Sequence, residues 1–227
     1  VGIPVQETVI GTYTSNGREK IVVACKDFTS PGITLQDFAS LKNRIIDSER
    51  NGYGTELNDI LSTIDEQTSM DSDVIKTRFW DMFIVDALIG NWDRHNGNWG
   101  FLYNNSTDEV VLAPVFDCGS SLYPQADDEL MTRILNNKNE FNHRIFDIPL
   151  SAITYNGKKI NYFNFLSEGK FEDCNTALKR ILSRIDMKKI YEIIDDTPTV
   201  TDIQNEFYKT MLTARKERIL DFAMRKI

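Results

Sequence analysis

Residues 72–89 constrain the fold more than any other stretch. Ile75, Phe79, Trp80, Met82, Phe83, Val85, Ala87 and Leu88 would lie on nearly every side of a helix formed here. A helix that is apolar all round has no face to give to water, so it must run through the middle of a core. Asp71 or Ser72 can cap its start, and Gly90 can end it with left-handed backbone. At 227 residues the chain is long enough to wrap such a helix, in one or two domains.

Around that helix the pattern predicts a mixed α+β order. Residues 1–28 read as β: 4–12 alternate loosely, Ser15-Asn16-Gly17 makes a turn, and the β-branched run 21–25 reads as a buried second strand. From Ile33 the pattern turns helical. Thr34 is a candidate cap, and Leu35, Phe38, Leu41 and Ile45 share a face until Gly52 and Gly54 interrupt it. A short helix is expected over 57–65. Past Gly90, residues 99–103 and 109–112 flank a turn as a hairpin. Helices are expected over 127–137, 171–184, 187–194 and 203–224, and a strand over 160–165.

Charge and cysteine usage narrow the partners. Asp plus Glu number 34 and Lys plus Arg 26, a formal net charge of −8. Such a chain is a poor non-specific binder of nucleic acid or of anionic membrane surfaces. Hydrophobic residues at 41% exclude a disordered chain. No apolar run approaches the ~20 residues that cross a bilayer. Cys25, Cys118 and Cys174 are scattered, and with His95 and His143 they fall outside zinc-site spacing. A reducing, cytoplasmic setting is the expectation, since the first residues lack the basic start and apolar core of a signal peptide. The basic residues near the C-terminus, among them Lys209, Arg215, Lys216 and Arg218, read as a solvated face.

Two segments stand apart chemically. Gly90-Asn91-Trp92-Asp93-Arg94-His95-Asn96-Gly97-Asn98-Trp99 follows the core helix, and Pro114-Val115-Phe116-Asp117-Cys118-Gly119-Ser120-Ser121 follows the hairpin. Asn98 lies five residues after Asp93, and Asp117 nineteen after Asn98. A hairpin returns the chain to its starting point, so Asn98 and Asp117 can face each other across its end. An amide oxygen and a carboxylate converging there would suit Mg²⁺. Asp93, on the loop before them, would hold an attacking hydroxyl. These are the parts of a phosphoryl-transfer site. The Asp-x4-Asn spacing followed by Asp-x-Gly is also that of the protein-kinase catalytic and metal segments, with Cys118 in the middle position here. Each segment alone also reads as a turn closed by its own Asp and Asn side chains. The ordered pair, with a core helix before and a hairpin between, favours the catalytic reading. Two roles are open for His95: contact with the transferring phosphate, or bracing of Asp93.

At these residues the chain resembles the HipA-like bacterial Ser/Thr kinases, and within them a small secreted branch. The resemblance is carried by residues 88–98 and 112–122, with weaker support from 156–163. It implies a protein-kinase-like fold, related to that of phosphoinositide kinases, with a mostly helical C-lobe. It divides the chain into 1–28, a β-hairpin remnant of the N-lobe with the connection between lobes, and 29–227, the helical C-lobe. It implies Asp93 as catalytic base, Asn98 and Asp117 as Mg²⁺ ligands, and Lys26-Asp27-Phe28 as the stretch whose backbone meets the adenine of ATP. The implied activity is phosphorylation of Ser or Thr in a protein substrate, with a regulatory partner in prospect and secretion open by analogy.

The N-terminus departs from that pattern. Gly11–Gly17 and Val23-Ala24-Cys25-Lys26 could be fitted to a glycine loop and a strand lysine. That fit leaves no strands to build the connection between lobes, so the first hairpin reads better as the last strand pair of an N-lobe. The chain is then expected to begin after the phosphate loop, the lysine and its paired helix. Two other functions stand beside transfer to protein: a non-catalytic binding module of the same fold, and a lipid or small-molecule kinase. The acidic charge and the lack of a basic amphipathic stretch weigh against a lipid substrate.

Overall fold

Asn16 and Gly17 both take left-handed backbone, φ 53° and 72°, the conformation that a tight two-residue hairpin turn requires. They join β1 (Thr8–Ser15) to β2 (Arg18–Cys25) in unbroken register from Thr8↔Cys25 to Ser15↔Arg18. The computed structural model describes residues 1–46 and 51–227. The expectation of a buried second strand is corrected: Val9, Tyr13, Ile21 and Val23 are 60–64% exposed. A β-branched run specifies a strand, but burial depends on what packs against the sheet, and here both faces meet solvent. The root of the hairpin is anchored elsewhere. The Gln6 amide donates to the Val115 carbonyl (2.9 Å), and the Val115 amide donates to the Pro4 carbonyl (2.8 Å).

The helix expected from Thr34 is also corrected. Residues Ile33–Asp37 form β3, and α1 starts only at Phe38 and runs to Ile45. Its cap is Asp37, whose carboxylate accepts from the Ser40 amide at 2.7 Å. The strand exists because a partner 67 residues downstream pairs with it (Ile33↔Asn104 to Asp37↔Gly100), which local periodicity does not reveal. The expected continuation of this helix over residues 47–50 lies outside the described residues.

After α2 (Leu57–Glu66), α3 (Ser72–Ile89) runs as predicted. The Asp71 carboxylate accepts from the Asp73 amide, and Gly90 ends the helix at φ 66°. Its ten buried residues include two carboxylates, Asp81 and Asp86. Trp80 packs among Phe79, Phe83, Phe165 and Phe171, with ring centroids 5.0–6.2 Å apart. Each such ring stabilises by about 1.5–3 kcal/mol on burial. The predicted hairpin follows as β4 (Gly100–Asn104) and β5 (Glu109–Leu112), giving a three-stranded antiparallel sheet in the order β3-β4-β5.

The C-terminal half is mainly helical. The helix expected over 127–137 is α4 (Asp128–Asn136), and Asn137 ends it and caps a second, unpredicted helix, α5 (Lys138–Phe146). A second hairpin, β6 (Leu150–Tyr155) with β7 (Lys158–Asn161), precedes α6 (Tyr162–Glu168). The strand expected over 160–165 is therefore corrected: it ends at Asn161, whose side chain accepts from the Asn164 amide and starts a helix. Then come α7 (Glu172–Leu182) and α8 (Met187–Asp196). The closing rod is α9 (Asp202–Arg215), a π turn over Lys216–Leu220, and α10 (Asp221–Met224). Arg180 of α7 clamps Asp81 of α3 through Nη2 at 2.6 Å and Nε at 3.0 Å. Arg215 does not belong to the solvated basic face expected of this region: it is 1% exposed. Among the described residues, no helix is long and apolar enough to cross a membrane.

Candidate active site

The loop after α3 is polar and largely buried, which is stable only if its groups find partners. Asn91, fully buried, donates from Nδ2 to Asp86 (2.9 Å) and accepts the Asp93 amide on Oδ1 (3.1 Å). Its carbonyl accepts the Tyr162 hydroxyl at 2.7 Å. Asn96 donates to the carbonyls of Gly52 (2.7 Å) and Gly54 (2.8 Å). The polar density seen in the sequence is therefore a scaffold that gives the loop a single shape.

Arg94 ties this scaffold together. It is 3% exposed and holds Asp86 with two bonds, Nε to Oδ2 (3.0 Å) and Nη2 to Oδ1 (3.2 Å). Its Nη1 donates to the carbonyls of Asn98 (2.7 Å) and Phe116 (2.6 Å), and Nη2 also reaches the Cys118 sulfur (3.2 Å). One guanidinium thus joins the core helix, the end of the loop and the Asp-x-Gly segment. Burial works against charge on Arg94, but the Asp86 carboxylate outweighs it and holds the guanidinium above its ordinary range. Burial pushes the Cys118 thiol up, so it meets Arg94 as a neutral acceptor.

The two segments singled out in the sequence meet at this clamp. The β4–β5 hairpin brings Ala113 onto Gly100 (amide to carbonyl, 3.0 Å), and Arg94 bridges the carbonyls of Asn98 and Phe116. The Asn98 Nδ2 donates to the Asp93 carbonyl at 2.8 Å, which leaves Oδ1 as its outward donor atom for a cation. Asp117 is exposed and sits at φ 52°, left-handed backbone in a non-glycine residue. Such a conformation costs about 1–3 kcal/mol and is kept only where the surroundings dictate it. The carboxylates of Asp93 and Asp117 accept no hydrogen bond from the described residues and face solvent. Among the described residues no three His, Cys, Asp or Glu side chains gather as a metal cage. A hard cation here would take an amide oxygen, one carboxylate and oxygens from its substrate, the coordination pattern that suits Mg²⁺.

His95 is half-buried, and its Nδ1 accepts the Gly97 amide at 3.0 Å. Its ring also meets Tyr53 edge-on at 6.1 Å. It braces the 96–98 turn and makes no hydrogen bond to the Asp93 carboxylate. Lys26-Asp27-Phe28 leaves β2 beside the Asp-x-Gly segment, where the Phe28 ring lies 5.7 Å from that of Phe116. The Lys26 ammonium pairs with Glu7 (2.7 Å), and Asp27 accepts from the amide and hydroxyl of Thr29. Sequence reasoning named Asp93, His95, Asn98 and Asp117 but missed Arg94, Asp86 and Asn91. The available signal was two carboxylates, Asp81 and Asp86, in the stretch read as a core helix: a buried carboxylate demands a cation partner, Arg180 for the first and Arg94 for the second.

A family model for the HipA-like C-terminal domain matches residues 1–201. The chain is 52% identical over 224 residues to the serine/threonine-protein kinase CtkA of Helicobacter pylori strain J99, covering 98% of this chain and 68% of that protein. The crystal structure of a Helicobacter pylori proinflammatory kinase CtkA superposes with a TM-score of 0.94 at 51% identity, over 99% of this chain and 81% of that one. HipA of Shewanella oneidensis MR-1, solved with HipB and operator DNA, shares the fold at a TM-score of 0.61 and 20% identity, over 99% and 54% of the two chains. The fold, the gathered loop and the relatives agree: this chain belongs to the HipA-like C-terminal domain family and is an enzyme of the kinase type.

Proposed function

We propose that the chain carries ATP- and Mg²⁺-dependent phosphoryl transfer to a Ser or Thr hydroxyl of a protein. The observation that supports this reading is the Arg94 clamp, which joins the Asn98 carbonyl to the Phe116 carbonyl of the Asp-x-Gly segment, with the Asn98 amide bonded to the Asp93 backbone carbonyl. Asp93 would orient the acceptor hydroxyl and take its proton as the oxygen attacks the γ-phosphorus and the bond to the β-phosphate oxygen breaks. Asn98 Oδ1 and the Asp117 carboxylate would hold Mg²⁺, which when bound neutralises charge on the phosphate oxygens. His95 positions the loop through the Gly97 amide. The backbone of Lys26-Asp27-Phe28 would meet adenine, with residues 1–28 as the N-lobe part and 29–227 as the catalytic lobe. The relative named as a serine/threonine-protein kinase supports the choice of acceptor.

Calorimetric titration with ATP, with and without Mg²⁺, followed by radiolabel transfer to a protein mixture, tests the reading. Asp93→Asn is expected to abolish transfer and keep the fold, and Asp117→Asn to remove the Mg²⁺ dependence of nucleotide binding. Unchanged transfer in Asp93→Asn would refute it. A second reading, a binding module of the same fold, is favoured by the β1–β2 hairpin, which shows apolar residues on both faces. It predicts a well-folded wild type that never transfers phosphate.

A further inference from the structure

A cavity of about 370 Å³ opens beside the loop that carries Asp93. Trp92, the preceding residue, lines it and is 43% exposed. Ser120, three residues past Asp117, also lines it, and its carbonyl accepts the Trp92 amide at 3.4 Å. Ala126, Leu130, Ile148 and Pro149 make the walls mainly apolar. Tyr123 is fixed in the wall, donating to the carbonyls of Arg144 (2.5 Å) and Ile148 (2.9 Å). Leu122 and Tyr123 both hold left-handed backbone, φ 55° and 57°.

The charge around this cavity is one-sided. Arg144 and Lys159 line it, and no Asp or Glu does so among the described residues. The Arg144 guanidinium lies over the Tyr123 ring, 5.1 Å from its centroid. Behind Gly90 lies the buried Arg215, close enough that a Cβ on Gly90 would meet its Cζ at 3.5 Å. Arg215 is held by the carbonyls of Ala87 (2.9 Å) and Arg144 (3.2 Å), and no carboxylate pairs with it among the described residues. On a chain with net charge −8, two cations lining one apolar cavity, with a third buried behind it, form a local exception.

We propose that this cavity docks the acceptor polypeptide, taking an apolar or aromatic side chain, with an acidic residue next to it drawn to Arg144 and Lys159. The proposal rests on the phosphoryl-transfer reading and adds the recognition chemistry of its substrate. Continuity decides the occupant. A polypeptide presenting its hydroxyl to Asp93 must pass Trp92, and Trp92 is the lip of the cavity. The volume is at the small end for ligand cavities, where roughly 300–1,000 Å³ is usual, so it suits one large side chain. An exposed tryptophan over an apolar well is a typical anchor for such a contact. Clustered cations on an acidic surface select an acidic segment and repel a basic one.

The test uses a matched set of short fluorescein-labelled peptides with a central serine. They differ only in Phe or Ala, and in Glu or Lys, at neighbouring positions. Fluorescence anisotropy gives their Kd on the wild-type chain, on Lys159→Glu, and on Ala126→Leu, which fills the cavity. Circular dichroism checks that each variant is folded. The expected result is tightest binding by a Phe/Glu peptide, weakened about tenfold or more by each variant, about 1.4 kcal/mol in each case. No binding by any peptide, a preference for Lys, or variant affinities within twofold of wild type would overturn the proposal. Radiolabel transfer to the same peptides separates the two readings. Selective binding without transfer overturns the transfer reading and leaves the docking site standing. Asp93-dependent transfer with no effect of the cavity variants does the reverse.

Discussion

Replacing Arg94 with Ala isolates the clamp that builds the site. Asp86 is 2% exposed, and without the guanidinium it keeps only the Asn91 amide at 2.9 Å. Removing one partner of a buried pair costs about 3–5 kcal/mol, because the remaining charge is left dry and uncompensated. The carbonyls of Asn98 and Phe116 also lose their donor, at about 1–3 kcal/mol each where water cannot enter, though these losses do not simply add. A central figure of about 4 kcal/mol follows for Arg94→Ala. With a urea m-value of about 3 kcal/mol per M, the midpoint falls by about 1.3 M. Equilibrium unfolding followed by tryptophan fluorescence measures it. The sharper test is the apolar pair Arg94→Met with Asp86→Leu. It removes the orphan charge and is expected to recover at least ~1 kcal/mol relative to Arg94→Ala. Phosphoryl transfer should stay lost in both, because nothing then holds the Asn98 and Phe116 carbonyls together. A loss below ~1 kcal/mol in Arg94→Ala, or a double variant that regains stability and transfer together, would refute the reasoning.

Three further outcomes follow from the geometry. Burial pushes the Tyr162 hydroxyl far above the ordinary tyrosine range, so the unfolded chain ionises first as pH rises. Its contribution is fully present below about pH 10 and falls by about 1.4 kcal/mol per pH unit above it, and Tyr162→Phe should flatten that alkaline slope in pH-dependent urea unfolding. A Cβ on Gly100 would overlap the Gln36 carbonyl oxygen across the β3–β4 pair, whereas on Gly90 it would find Pro149 only at 3.4 Å. Gly100→Ala should therefore cost more than Gly90→Ala, which carries only the left-handed backbone penalty of about 1–2 kcal/mol, and thermal melts would rank them. His95→Ala should slow transfer about tenfold by freeing the Gly97 amide, and His95→Asn, which can accept the same amide, should restore most of the rate. Failure of that rescue would put the imidazole in the chemistry itself.

The core helix was legible because every cue for it is local. Asp71 caps it, Gly90 ends it, and its apolar residues cover most of its surface. The β4–β5 hairpin was legible for the same reason, and with it the approach of the loop to the Asp-x-Gly segment. The 33–37 strand was not, because its partner is β4, far along the chain; read locally, Leu35 and Phe38 fit a helix as well as a strand. The helix 138–146 was missed because its cap, Asn137, looked like the end of the preceding helix.

Residue order and the hairpin between them led to the expectation that the Asp93–Asn98 loop and the Asp117 segment lie close together, and Arg94 bonds both. The apolar pattern also set the helical lobe around α3, because a helix whose apolar residues cover most of its surface packs at the centre of a core. The roles of Arg94 and Arg215 were decided by tertiary structure. Both are basic residues that composition assigns to water, yet each is nearly fully buried. A guanidinium is buried only where acceptors from separate elements meet it at hydrogen-bond distance, a carboxylate and carbonyls for Arg94 and carbonyls alone for Arg215. That meeting depends on how the whole chain packs and on no pattern within one segment. The cavity beside Trp92 arose in the same way, from the packing of α4, α5 and the β6–β7 hairpin against the end of the core helix.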